Sequence, residues 1–240
     1  MRNGVHTHGY ACISADYRLC PQVSVKEVFE DVKDCIKFIR TELSSHVPEG
    51  ALDVSRLAVS GSSAGGFLTL LAGLYVEPKP QVLIPIYPIT DPLGVFFTNP
   101  QPAPPGRYAA SKEEMAEFLN KDAEPVTSAA KAPHDARAHM YVYMLRAANL
   151  AELWGVPDDK SAGPYRISRN IQKHGLPPAY VIHGDMDTAV GVEQADEVVG
   201  AMLGCGLTVE YERPHGKDHF LDNGDDYENQ AMYTFMNKHL

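Results

Sequence analysis

The sequence predicts an α/β protein with a mostly parallel sheet and helices on both of its faces. Three observations predict it. Short, mainly apolar runs at 9–14, 57–60, 82–87 and 179–182 read as strands buried on both faces, where polar alternation is not needed. The segments between several of them carry apolar residues at helical spacing. Strand and helix then alternate in the order that builds a parallel sheet with crossover helices.

In chain order, the 9–14 strand runs into Asp16-Tyr17-Arg18-Leu19-Cys20-Pro21, a polar turn closed by proline. Ser24-Val25-Lys26-Glu27 forms a capping box, with Ser24 as N-cap and Glu27 reaching back. From there Val25, Val28, Phe29, Val32, Ile36, Ile39 and Leu43 recur at helical spacing and predict a helix covering one face of the sheet. The 57–60 strand empties into Gly61-Ser62-Ser63-Ala64-Gly65-Gly66, and an apolar helix follows over 67–76. Pro78-Lys79-Pro80 breaks the chain before the strand at 82–87.

Residues 91–178 interrupt this cadence. Nearly ninety residues separate two sheet strands, too many for a simple crossover, so 91–178 is expected to be an inserted cap. The core is then expected in 1–90 and 179–240. The insertion opens Pro/Gly-rich, continues with a helix capped by Ser111-Lys112-Glu113-Glu114, and holds a second helix around 136–154. That helix is crowded with Met140, Tyr141, Tyr143, Met144, Leu145, Leu150 and Leu153, which fit either ordinary core or an adaptable apolar wall of a substrate pocket. After the 179–182 strand, Val192, Ala195, Val198, Val199, Met202 and Leu203 mark one face of a helix stopping near Gly204. A last strand at 207–211 and a closing helix over 226–240 complete the chain, the latter offering Tyr227, Met232, Phe235 and Met236 for burial.

Composition narrows the function classes. Of 240 residues, 44% are hydrophobic and 22% charged, ordinary values for a soluble globular protein. A net charge of −10 argues against phosphate backbones and anionic membranes as partners, so no nucleic acid is expected. The longest apolar run, 67–76, falls well short of the about 20 residues of a membrane span. The four cysteines, Cys12, Cys20, Cys35 and Cys205, are scattered and read as small core residues in a reducing compartment. With no basic-then-apolar leader at the start, a cytoplasmic protein is the expectation. His6 and His8 lack a third ligand nearby, so no metal is expected there, and no cofactor is called for.

The chemistry sits in three loops. Gly61-Ser62-Ser63-Ala64-Gly65 fits the nucleophile elbow Gly-x-Ser-x-Gly, with the strand before and helix after that the pattern requires. The sharp turn pushes the Ser63 hydroxyl into the open, and glycines either side are expected to relieve crowding. A serine needs a base to take its proton and an acid to orient that base. Loops after successive parallel strands surface at one sheet edge, and here they carry Ser63, then Asp187, then His219, the order of α/β-hydrolases. Asp185 competes with Asp187 as the acid, and His215 and His183 compete with His219 as the base.

Four segments carry a resemblance: Asp16-Tyr17-Arg18-Leu19, Gly61-Ser62-Ser63-Ala64-Gly65-Gly66, His183-Gly184-Asp185-Met186-Asp187 and Gly216-Lys217-Asp218-His219-Phe220. They resemble the α/β-hydrolase fold esterases of the hormone-sensitive-lipase-like group, over most of the chain. The resemblance implies ester hydrolysis through an acyl-serine, with Ser63 as nucleophile, Asp187 as orienting acid and His219 as general base. It favours Asp187 over Asp185 and His219 over His215. The substrate it implies is a small-molecule ester.

The sequence departs from that family at its front. Members carry a His-Gly-Gly-Gly-type segment upstream of the Asp-Tyr-Arg-Leu turn, whose N–H groups form most of the oxyanion hole. His6-Thr7-His8-Gly9 does not match it, which leaves the Ala64 N–H as the expected oxyanion donor. The family's strand between the 9–14 and elbow strands is also expected to be missing, so N-terminal strands of the fold are absent. An unpaired strand edge predicts a homodimer or aggregation. The primary reading is a carboxylesterase/lipase-like serine hydrolase of low turnover. The alternatives are a catalytically weak hydrolase-like binding or scaffold protein, and a prolyl-oligopeptidase-type peptidase.

Overall fold

In the computed structural model, which describes residues 7–127, 136–157, 160–224 and 227–240, four strands form one parallel sheet. They are β1 (Ala58–Ser62), β2 (Val82–Ile86), β3 (Ala179–Ile182) and β4 (Val209–Glu212), in that spatial order. The register pairs Ser60 with Ile84, Ile86 with Ile182 and Ile182 with Glu212. All four C-terminal ends therefore emerge at one edge.

Helix α1 (Val25–Thr41) starts at the capping box: the Ser24 N–H donates to Glu27 at 2.8 Å and the Glu27 N–H to the Ser24 hydroxyl at 3.4 Å. Its 3.6-residue stripe buries Val25, Val28, Phe29, Val32, Ile36 and Ile39. Leu43 lies beyond it, half-buried in an otherwise exposed 3-10 turn. Helix α2 (Ala64–Tyr75) follows the elbow and is buried without a break from Gly66 to Leu74, as an apolar helix sunk in the core should be.

The core lies on both faces of the sheet. On one face Val82, Ile84 and Ile86 of β2 meet Met232 and Phe235 of the closing helix, α9 (Gln230–His239). Leu83, pointing the other way along the strand's period of two, joins the larger cluster around α1 and α2. Between β2 and β3 the chain forms α3 (Val95–Thr98), α4 (Ala116–Leu119), α5 (His139–Ala147), α6 (Leu150–Leu153) and α7 (Ile167–His174). Met144, Leu145, Leu150, Leu153, Ile167 and Ile171 join the larger cluster. An ion pair buried on its acidic side, Arg166 to Asp91 at 2.6 Å, ties the two ends of this segment together. Gln194 accepts from the N–H groups of Thr90 and Asp91 and fastens them to α8 (Glu193–Gly204).

Several expectations need correction. Residues 9–14 form no strand, and residues 11–14 are exposed. An apolar run becomes a strand only against a partner that completes its ladder, and among the described residues β1 pairs with β2 alone. The segment instead lies over α9, where His8 stacks on Tyr233 at 4.0 Å and the Tyr10 hydroxyl donates to Asn237. His6 lies outside the described residues. The Ser111 cap is made, with the Glu114 N–H donating to Ser111 at 3.2 Å, yet the helix after it is the single turn of α4. The helix expected around 136–154 is split by Ala148, at φ 51°. Leu203 is 62% exposed rather than buried on its helix face. Cys12 and Cys205 are exposed and Cys20 and Cys35 half-buried, so none is a fully buried core residue. Among the described residues no helix is long and apolar enough to cross a membrane.

Candidate active site

Ser63 sits at the junction of β1 and α2 with φ 55° and ψ −117°, a region that costs a non-glycine residue about 1–3 kcal/mol. The surroundings hold it there. Its N–H donates to the Ile86 carbonyl at 2.9 Å, and its own carbonyl accepts from Ile89 at 3.2 Å and Phe67 at 3.2 Å. Gly61 is required at this turn because a Cβ there would run into the Gly65 carbonyl. Gly66 is required because a Cβ would approach Pro88 Cβ to 2.7 Å. At Gly65 a Cβ would meet nothing within 4 Å, so the crowding expected on both sides of the serine is confined to Gly61 and Gly66.

The loop after β3 carries both candidate acids, and the structure separates them. Asp187 Oδ2 lies 2.7 Å from His219 Nδ1, with the Asp187 side chain fully buried and that of His219 6% exposed. Asp187 Oδ1 accepts from the N–H groups of Ala189 and Val190, each at 2.8 Å. Burial alone would push the Asp187 carboxyl up. Hydrogen bonds from His183, His219 and the Val190 N–H, with the His219 charge, outweigh that and hold it well below the usual carboxylate range. Asp185 points elsewhere, pairing at 2.7 Å with His215, whose side chain is 96% exposed. His183 is fully buried beneath the acid, with Nε2 2.9 Å from the Val190 carbonyl and 3.3 Å from Asp187 Oδ2.

Ser63 and His219 both meet the end of β2 and the residues just after it. Ser63 bonds Ile86 and Ile89, and the Tyr87 ring lies 4.3 Å from the His219 ring. Among the hydrogen bonds of the described residues, none joins His219 to the Ser63 hydroxyl. Such bonds often tighten only when substrate is bound. Ala64, the expected oxyanion donor, opens α2, so its N–H lies in the first turn, where helical N–H groups lack intrahelical acceptors.

Sequence reasoning missed three contributors. Tyr87, at φ 34°, covers His219 and donates its hydroxyl to Asp222. Tyr141 of α5 donates its hydroxyl to the Ala189 carbonyl at 2.6 Å, which reaches the acid's turn from the 91–178 segment. Asp218 accepts from Thr188 at 2.8 Å and from the His219 N–H at 2.7 Å, and so links the acid and base loops. Tyr87 could have been found from its position, directly after a buried strand at the edge that carries Ser63. Tyr141 falls among the Met/Tyr residues, and Asp218 in the 216–220 segment, that the sequence already singles out, but nothing there marks their contacts with Ala189 and Thr188.

Beside the elbow opens an apolar cavity of about 770 Å³, lined by Tyr17, Ala64, Phe67, Met140, Tyr141, Met144 and Trp154 among others. Arg18 of the Asp-Tyr-Arg-Leu turn also lines it, and its guanidinium is held by Asp31 at 2.7 Å.

Comparison with known proteins adds four observations. A family described as alpha/beta hydrolase fold matches residues 1–222. Among curated proteins, the non-reducing polyketide synthase pkbA of Emericella nidulans is 26% identical over 91% of this chain. The chain spans only 11% of that synthase's length. A probable carboxylesterase, clz11 of Cochliobolus lunatus, is 26% identical over 75% of this chain and 85% of its own length. Among solved structures, the esterase of Pyrobaculum calidifontis superposes with a TM-score of 0.63, at 18% identity, over 99% of this chain and 66% of the esterase.

Proposed function

The chain belongs to the alpha/beta hydrolase fold family, and from that premise we propose that it is a serine hydrolase of carboxylic esters. The observation that carries the reading is the buried 2.7 Å contact of Asp187 with His219, at the sheet edge where Ser63 occupies its strained turn. In this reading the Ser63 hydroxyl attacks the ester carbonyl carbon and gives its proton to His219 Nε2. The ester C–O bond breaks, and the departing alcohol takes that proton. Water then attacks the acyl-serine, gives a proton to His219, and releases the carboxylic acid as Ser63 recovers its hydrogen. Asp187 keeps the His219 proton on Nδ1, so that Nε2 is free to act as base.

The Ala64 N–H serves the tetrahedral oxyanion. Loss of one donor of this kind lowers turnover by about 10²–10³-fold, so the Ala64 N–H is a principal contributor in this reading. The acyl part of the substrate lies in the apolar cavity, and residues 91–178 act as the cap that closes it. The similarity to a polyketide synthase supports a second reading of the acid part, a polyketide acyl group against the aromatic wall of Phe67, Tyr141 and Trp154.

The test is hydrolysis of p-nitrophenyl esters by the purified chain and by Ser63→Ala. Weak turnover that the substitution abolishes is the expected result. Turnover unchanged in Ser63→Ala would end the reading.

A further inference from the structure

His183 is a buried residue of the site that the esterase reading leaves without a role. It is fully buried at the end of β3, held by its own N–H donating to the Glu212 carbonyl at 3.0 Å. Its Nε2 faces two acceptors, the Val190 carbonyl at 2.9 Å and Asp187 Oδ2 at 3.3 Å. A bare nitrogen lone pair cannot face two oxygen acceptors, so the ring proton resides on Nε2. Its Nδ1 is buried and has no hydrogen-bond partner among the described residues. A proton placed there instead would be a buried donor without an acceptor, which is costly. One tautomer is thus selected: it donates its N–H to the Val190 carbonyl and holds that nitrogen 3.3 Å from Asp187 Oδ2.

We propose that His183 is a positioning residue acting through Asp187: its Nε2–H, shared between Asp187 Oδ2 and the Val190 carbonyl, limits how much of the carboxylate's charge is directed at His219. Oδ2 is the oxygen that His219 also uses. A carboxylate oxygen that accepts two donors divides its charge between them, and removing one donor strengthens the hold of the other. The acid's orientation does not depend on His183 alone, because the Ala189 and Val190 N–H groups hold Oδ1. Losing His183 therefore leaves Asp187 in place but more basic, and His219 binds its second proton more tightly.

The inference rests on the reading of Asp187 and His219 as acid and base, but its test needs no turnover. The charged and titratable groups facing His219 are Asp187 at Nδ1, Asp218 on its backbone N–H, and Tyr87 across its ring, with Asp222 at the Tyr87 hydroxyl. None of them is altered by the substitutions used.

With nitrogen-labelled histidine, magnetic resonance reads both the tautomer of His183 and the titration of His219. In the wild-type chain the His183 proton should be found on Nε2. In His183→Leu the His219 midpoint should rise by about half a pH unit or more. His183→Gln, which can return an N–H donor near the Nε2 position, should bring the midpoint back towards wild type. A His183 proton on Nδ1 overturns the inference, and so does an unchanged or lowered midpoint in a folded His183→Leu chain. If His183→Leu does not fold, His183→Phe, which keeps a buried planar ring without a donor, is read in its place with the same outcomes. Ester turnover measured in parallel keeps the two readings apart. A chain without turnover but with the expected shift would end the esterase assignment and leave the role of His183 standing.

Discussion

Tyr141 donates its hydroxyl to the carbonyl of Ala189 across 2.6 Å, joining a helix of the 91–178 segment to the turn that holds Asp187. The same ring lines the apolar cavity beside the elbow. One side chain thus belongs both to the cavity wall and to the support of the turn that carries the candidate acid. Burial also pushes the Tyr141 hydroxyl up, with the Asp187 charge adding to the effect, so it acts as a hydrogen-bond donor throughout the working pH range.

The two aspartates of the His-Gly-Asp-Met-Asp loop should behave oppositely. Asp187→Asn should lower ester turnover by about 10³–10⁴-fold, since an amide no longer holds the proton on His219 Nδ1. Asp185→Asn weakens the contacts with the exposed His215 and the Gly216 N–H, neither of which reaches His219 or Ser63, and should leave turnover close to wild type. Steady-state kinetics of the pair checks this, and equal losses would overturn the assignment of the acid.

The buried acid should also show in acid unfolding. Its carboxyl is held below the unfolded value, so it stabilises the folded chain above a pH of about 3.9. That contribution is lost progressively as pH falls below this value towards the lower folded one. Urea midpoints of wild type and Asp187→Asn should therefore converge on acidification from neutral pH to pH 3. A constant gap would mean that the carboxylate charge is not what Asp187 contributes.

Cavity and core can be told apart within one helix. Met140 is half-buried and lines the cavity, whereas Leu145 is 1% exposed and packs in the main core cluster. Met140→Ala should raise the preference for long over short acyl esters with little effect on stability. Leu145→Ala should cost about 2–5 kcal/mol and leave that preference alone. Chain-length profiles and thermal melts of both variants measure it; matching profiles would mean that the cavity does not take the acyl group.

The elbow glycines should separate in the same way. Gly61→Ala drives a Cβ into the Gly65 carbonyl, and neither atom belongs to a flexible side chain that could yield. It should destabilise the chain and displace Ser63. Gly65→Ala meets open space within a helix and should stabilise by up to about 1 kcal/mol. Melting temperatures of the two variants decide this, and similar behaviour would contradict the geometry of the turn.

Much of this molecule was legible in the sequence because the deciding interactions are local. The capping box of α1 needs only Ser24 and Glu27, three residues apart, and the elbow needs only Gly61, Ser63 and the flanking apolar runs. The stripe of α1 follows from its helical periodicity, and the continuous burial of β2 and β3 from their unbroken apolar runs. Tertiary structure decided what depends on partners distant in sequence. The apolar run at 9–14 looks like a strand by itself, but without a neighbour to complete its ladder it stays irregular over α9. Asp185 and Asp187 are alike as residues, and the sequence favours Asp187 only through the family resemblance. Only the fold sends one inward to His219 and the other outward to His215, because the Ala189 and Val190 amides and His183 surround a single one of them.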